Sequence, residues 1–258
     1  TVRLWDLGTL KEISIADGRS FLDSDRVASV EAAVFSPQNG DMAKKEQFIL
    51  TVGGSNAQLW DEATGREQIQ YSPHGSVSAA GYSPDGKFIV TAGLDSTARI
   101  WNAATGKTVA ILAGHTSDVN SAVFSPDGKT LYVGGTRPKG GGNVQGVPLI
   151  IGFDWNSGIE VFNREFGAVG DVYVHEMQFH NNGYLMAVTS GNPGTGQLLF
   201  IDTNAVAGEG ETAKSELPYR NNKLSNCHSI SLHPDGDQFA VTTTSKGSNG
   251  NGRRLDKD

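Results

Sequence analysis

Short apolar runs alternate with polar, turn-forming residues along the whole chain. Phe88 to Ala92, Ala98 to Trp101 and Val109 to Leu112 are each bounded by Gly, Asp or Asn. This pattern predicts strands joined by tight turns rather than helices. The phrase Ser83, Pro84, Asp85, Gly86, Lys87 returns as Ser125, Pro126, Asp127, Gly128, Lys129, a spacing of roughly 40 residues that marks an internal repeat. Between the two copies lies a four-stranded meander. No apolar run approaches the roughly 18 residues that a membrane-crossing helix needs.

The repeat resembles a WD40 unit. Gly114 and His115 match the family's Gly-His pair, Trp101 and Asn102 stand where it has Trp and Asp, and Trp60 with Asp61 and Trp5 with Asp6 match fully. The resemblance implies an all-β fold, a WD40 β-propeller with about five blades' worth of four-stranded antiparallel sheets and partial blades at both ends. The units expected in order are a half blade at 1–15, full blades at 27–71, 74–112, 115–166 and 174–218, and a partial blade at 227–258. In the last, only Cys227 to Leu232 and Phe239 to Thr243 read as strands. A blade must pack both faces on neighbours, since an isolated one leaves two apolar surfaces in water at about 25 cal/mol per Å². The two-strand start and finish could complete one ring. The favoured expectation is a slice of a larger ring or array, with the missing strands supplied by the rest of a parent chain. The first residue, Thr1, falls inside a repeat, so the chain is expected to be a fragment.

Composition narrows the function classes. Glycine contributes 33 of 258 residues, nearly double the usual roughly 7%, as a chain that turns every few residues requires. A net charge of -7 argues against a nucleic-acid binder, which is normally basic. One cysteine, Cys227, excludes an internal disulfide. Gly81, Gly86 and Lys87 mimic a phosphate loop, but Phe88 follows where Ser or Thr should bind magnesium. The segment reads as a hairpin. G-x-S-x-G, H-E-x-x-H and C-x-x-C are absent from the sequence.

The resemblance also assigns a structural hydrogen-bond chain to His74, Thr91, Asp95 and Trp101, in which a buried indole N–H needs an acceptor and a hydroxyl both accepts and donates. The unit holding Thr51 and Trp60 lacks the Asp position, and the third full unit has Val133 and Phe153 where the hydroxyl and indole belong. Partner contacts are expected on the face where connections between second and third strands emerge. Gly134 to Val147, Ser190 to Gly196 and Thr244 to Gly252 read as long loops there, continuing into Arg253 and Arg254. Arg137, Lys139, Lys246 and Arg253 would give these loops a positive character suited to an acidic or phosphorylated protein or peptide. Aligned inner strands place His175 and His228 at the position of Asn120, beside the central opening. His180 and His233 fall at the opposite end, roughly 16 Å away along five strand residues, too far to share a metal with the first pair. A metal site of His175, His228 and Cys227 is conceivable on ligand type but is not the expectation. The sequence thus reads as a non-catalytic scaffold, with no cofactor or metal, no nucleic acid and no membrane insertion. The alternative is a propeller enzyme, a lactonase-like hydrolase or a lyase, with its site in the central funnel.

Overall fold

The computed structural model describes residues 2–6, 8–9, 11–16, 22–23, 26–27, 30, 32–37, 47–71, 75–138, 146–166, 171–180, 183–191, 196–203, 216–219, 227–233, 238–244 and 253–257. Among these the chain is all-β. Strands β1 (Val2–Asp6) and β2 (Lys11–Ala16) form a two-stranded sheet, and β3 (Leu22–Asp23) with β4 (Arg26–Val27) form a short ribbon. The first complete blade is β5 (Ala32–Phe35), β6 (Phe48–Gly53), β7 (Asn56–Asp61) and β8 (Glu67–Tyr71). The second is β9 (Val77–Tyr82), β10 (Phe88–Gly93), β11 (Thr97–Asn102) and β12 (Thr108–Ala113). The third is β13 (Val119–Phe124), β14 (Thr130–Arg137), β15 (Val147–Asp154) and β16 (Ile159–Glu165). The fourth is β17 (Asp171–Phe179), β18 (Leu185–Gly191), β19 (Leu198–Ile201) and β20 (Glu216–Tyr219). A fifth sheet holds β21 (Cys227–Leu232), β22 (Phe239–Thr244) and β23 (Arg253–Lys257).

Every sheet is an antiparallel meander in chain order, the arrangement that tight turns between sequential strands dictate. One detail differs from the pattern-based expectation. The fifth unit has a third strand, because Arg253 to Lys257 pairs with Ala240 to Thr244. Its sequence, RRLDK, has too few apolar residues to register as a strand by alternation. Arg253 and Arg254 therefore lie in β23 rather than in a loop. Strands β1–β2 and β21–β23 remain separate sheets, so the two ends do not join into one blade among the described residues.

The core lies between blades. Leu50, Leu59 and Tyr71 of the first blade pack on Ile89 and Trp101 of the second. Val90 and Ile100 pack on Leu131 and Phe153 of the third. Tyr132 and Ile150 pack on Met177, Leu185 and Leu199 of the fourth. Met186 and Leu198 pack on Ile230 and Val241 of the fifth. Each sheet thus shields its neighbour, which is how repeats that cannot bury a core alone become stable.

The SPDGK phrase closes the bottom hairpins. In β13–β14 the Ser125 hydroxyl donates to Asp127 Oδ1 at 2.6 Å, and the same oxygen accepts the Lys129 N–H at 3.1 Å. These bonds, led by that from Ser125, hold the Asp127 carboxyl below its ordinary range. Ser83, Asp85 and Lys87 repeat the set at 2.7 and 3.1 Å. Gly86 and Gly128 sit at φ of 72° and 70°, a conformation that favours glycine. The recurring phrase is a turn, its Ser and Asp side chains bonded to each other and to the turn's own backbone.

Candidate functional site

One edge of the propeller gathers two features. The first is a bulge near the start of the inner strand. In the second blade Val77 faces Gly93 and Ala79 faces Ala92, which leaves Ser78 without an opposite residue. Asn120 is skipped between Val119 and Ser121, His175 between Val174 and Glu176, and His228 between Cys227 and Ser229. A bulge bends the strand and re-aims one side chain. Here it occurs at equivalent points of four consecutive blades, and three of the four residues are those the alignment of inner strands singles out. Ser78 was not singled out from the sequence, although it occupies the same aligned position.

Two of these side chains tie blade to blade. The Ser78 hydroxyl reaches the carbonyl of Val119, and Asn120 Nδ2 donates to the carbonyl of Val174 at 3.2 Å. His175 is half-buried, with its ring edge-on to Tyr173 at 5.8 Å between centroids. The backbone of His228 lies in β21, and its side chain is outside the described residues. One position along, Ser121 Oγ accepts the N–H of Met177 at 3.0 Å and Glu176 Oε2 accepts the N–H of Ile230 at 2.8 Å. Glu176 was not singled out from the sequence. Its signal there is alignment: the equivalent residues Ala79, Ser121 and Ser229 are uncharged.

The second feature is the set of connections from second to third strand. Antiparallel pairing puts them at the same edge as the inner-strand starts, since Val119 faces Gly135 near the end of β14. In the first two blades these turns are short, Gly54–Ser55 and Leu94–Ser96. In the next three, residues 138–146, 192–197 and 245–252 make the connection. Strand β14 extends to Arg137 and takes up part of what read as loop. Arg137 is exposed and pairs with Glu165 at 2.9 Å. Lys139 and Lys246 lie outside the described residues, as does the Arg253 side chain.

The four residues of the expected hydrogen-bond chain are placed as follows. Trp101 Nε1 donates to Thr91 Oγ1 at 3.0 Å, both buried. Asp95 accepts from the Thr97 N–H at 3.1 Å and from Arg99 at 2.9 Å. His74 lies outside the described residues. In the first blade Trp60 Nε1 donates to Thr51 Oγ1 at 2.9 Å, so the indole-hydroxyl pair persists there without the Asp position. His180 and His233 sit at the opposite edge. Their N–H groups bond Tyr184 and Gln238, as those of Ser83 and Ser125 bond Phe88 and Thr130. Among the described residues no three His, Cys, Asp or Glu side chains converge on a metal-sized point.

A family description, WD40 (WD domain, G-beta repeat), matches residues 65–102 and 106–137. The chain carries WD40 repeats and folds as a WD40-type β-propeller. Each matched repeat starts at or before the outer strand of one blade, β8 or β12, and runs into the next blade. A WD40 repeat is therefore out of phase with a blade and links two of them. Relatives include a serine-threonine kinase receptor-associated protein of Dictyostelium discoideum, 26% identical over 52% of this chain and 40% of that protein. The nuclear distribution protein nudF of Aspergillus niger is 30% identical over 48% of this chain and 26% of its own length. A guanine nucleotide-binding protein subunit beta of Nicotiana tabacum is 28% identical over 52% and 36%. The matches thus span less than half of each of these relatives. Among solved structures, Kuenenia stuttgartiensis hydrazine synthase superposes with a TM-score of 0.60 at 18% identity, over 78% of this WD40 chain and 53% of that one. That likeness is one of fold alone.

Proposed function

We propose that this WD40 propeller is a non-catalytic scaffold that holds a protein or peptide on the edge bearing the bulged inner strands and the long connections. The observation that carries the reading is the coincidence of the two features. Ser78, Asn120, His175 and His228 occupy successive bulges, and the connections at 138–146, 192–197 and 245–252 leave from the same edge. The sheets thereby carry the connections between their strands, the usual division of labour between a scaffold and its recognition loops. The relatives' names, receptor-associated protein and G-protein subunit, are in keeping with an interaction role.

The finer part of the proposal is that the partner is acidic or phosphorylated and meets Arg137, Lys139, Lys246 and Arg253, with Asn120, His175 and His228 facing the opening. Arg137 already has Glu165 as a partner, so the remaining cations carry more of the attraction. The test is an array of acidic, phosphorylated and neutral peptides probed with the wild-type chain and with the triple variant R137E/K139E/K246E at low and high salt. Selective retention of anionic peptides, weakened by salt and by the variant, is the expected result. Equal retention by both proteins dismisses the charge reading.

A further inference from the structure

At the propeller axis lies a cavity of about 460 Å³, walled by all five inner strands. This is within the roughly 300–1,000 Å³ of small-ligand sites. Val34, Gly81, Val123, Gln178 and Ser231 occupy the same register position of β5, β9, β13, β17 and β21 and all line it. A Cβ placed on Gly81 would meet nothing within 4 Å, so side chains at this position face open space. Glu176 lies two residues before Gln178, on the same face of β17, and also lines the cavity.

Among the described residues that line the cavity Glu176 is the one charged residue, and no lysine, arginine or histidine is among them. Its blade-to-blade bond to the Ile230 N–H does not call for a charge, because Ser121 makes the equivalent bond to Met177 with a neutral hydroxyl. The carboxylate therefore brings an excess negative charge and spare acceptor capacity into the cavity. Burial pushes its pKa up, against the pull of the Ile230 N–H and the Ser229 hydroxyl. An apolar guest would desolvate that charge further, and an anion would be repelled. Calcium and magnesium take six or more oxygens and zinc takes four ligands, and no group of three or more His, Cys, Asp or Glu side chains converges among the described residues.

We propose that the cavity binds a monovalent organic cation, an alkylammonium or guanidinium group, with Glu176 as its counter-ion and Gln178 and Ser231 as hydrogen-bonding neighbours. The cavity begins one residue along from the His175 bulge of the loop-bearing edge, and its binding of the cation does not depend on a partner there. Calorimetric titration of the 258-residue chain with n-butylammonium chloride, with agmatine and with uncharged 1-butanol tests it. One-site binding of at least one of the cations, with none for the alcohol, is expected. Glu176→Gln keeps an acceptor for Ile230 and should retain the wild-type melting temperature while weakening cation binding at least tenfold. The variant R137E/K139E/K246E should bind the cation as wild type does, which separates this site from the loop-face reading. A lysine tripeptide with blocked ends distinguishes the source: its binding assigns the cation to a polypeptide, and its exclusion while the free amines bind assigns it to a small molecule. Failure of both cations to bind, equal binding of 1-butanol, or unchanged affinity in a folded Glu176→Gln chain overturns the proposal.

Discussion

The second and third blades solve one packing problem in two ways. In the second, a buried indole is satisfied by a buried hydroxyl, Trp101 to Thr91. In the third, the same register positions hold Phe153 and Val133, both buried and without a polar atom in the side chain. The first blade follows the second, with Trp60 on Thr51. The fourth follows the third, with Ala187 and Ile201 at those positions. Losing one partner strands the other at about 1–3 kcal/mol, whereas replacing both by apolar groups is nearly neutral. The propeller therefore needs complete pairs or none. The third blade keeps one leftover, His115, whose Nε2 turns to the Val133 carbonyl at 3.1 Å while its buried Nδ1 has no partner among the described residues. It also recruits an indole from outside the pattern: Trp155 packs on Phe88 at 4.6 Å and donates to the Gly128 carbonyl at 2.8 Å.

The sharpest way to break this comparison is a double-mutant cycle in the second blade. Thr91→Val alone leaves the Trp101 N–H buried without its hydroxyl acceptor and should cost about 2–3 kcal/mol in chemical denaturation. Trp101→Phe added to it should cost much less than the sum of the two single changes, since the double variant reproduces the third blade. Strictly additive costs would show that the pair does not act as a unit.

A smaller effect separates the interfaces on the two sides of the third blade. Gly134 takes the register position that Ala92 holds in the second blade. A Cβ there would come within 2.8 Å of Val174 Cγ1 and 2.9 Å of Met177 Cε. Methionine's unbranched tail adapts readily but the fully buried, β-branched Val174 does not, so Gly134→Ala should cost about 1–2 kcal/mol, within the range for overpacking. Ala92→Gly should cost less, at most about 1 kcal/mol of backbone freedom. A stabilised Gly134→Ala chain would mean that the third and fourth blades are not in close approach.

The repeat, the meander order and the departures at Val133 and Phe153 could all be read from the sequence, because turn chemistry and strand alternation are local. What escaped it was long-range. The bulges at Asn120 and His175 depend on which residues of a partner strand face them, and an aligned column shows a shared position without showing that it is unpaired. Glu176 was hidden because its neighbours Ile230 and Ser231 are more than fifty residues away. Arg137 looked free because Glu165, its partner, lies two strands away across β15.

His115 offers a finer test of the same contrast. Burial lowers its pKa from the usual 6.5, outweighing the opposing pull of the Val133 carbonyl and the Glu160 carboxylate. A depressed folded pKa means that the unfolded chain takes up the proton first. The contribution is therefore fully present above about pH 6.5 and falls away as the pH drops through the window down to the folded value. Melting temperature should decline over that range in the wild type, and a His115→Phe variant should decline less. Identical slopes would show that the residue does not sense the pH.

The smallest effect is expected at Arg137. Its pair with Glu165 is short, at 2.9 Å, yet both side chains are about half exposed, 56% and 43%. Water and salt screen such a pair, and holding two long side chains in one geometry costs entropy, so its net worth is below about 1 kcal/mol. Arg137→Ala should hence move the denaturation midpoint little, and less still at high salt. Arg137→Glu faces Glu165 with a like charge and should cost slightly more, with the difference vanishing as salt rises. A loss comparable to Thr91→Val would mean that the edge of β14 is held by charge rather than by its strand pairing, and would remove the distinction between a buried pair that the blade requires and a surface pair free to exchange for a partner.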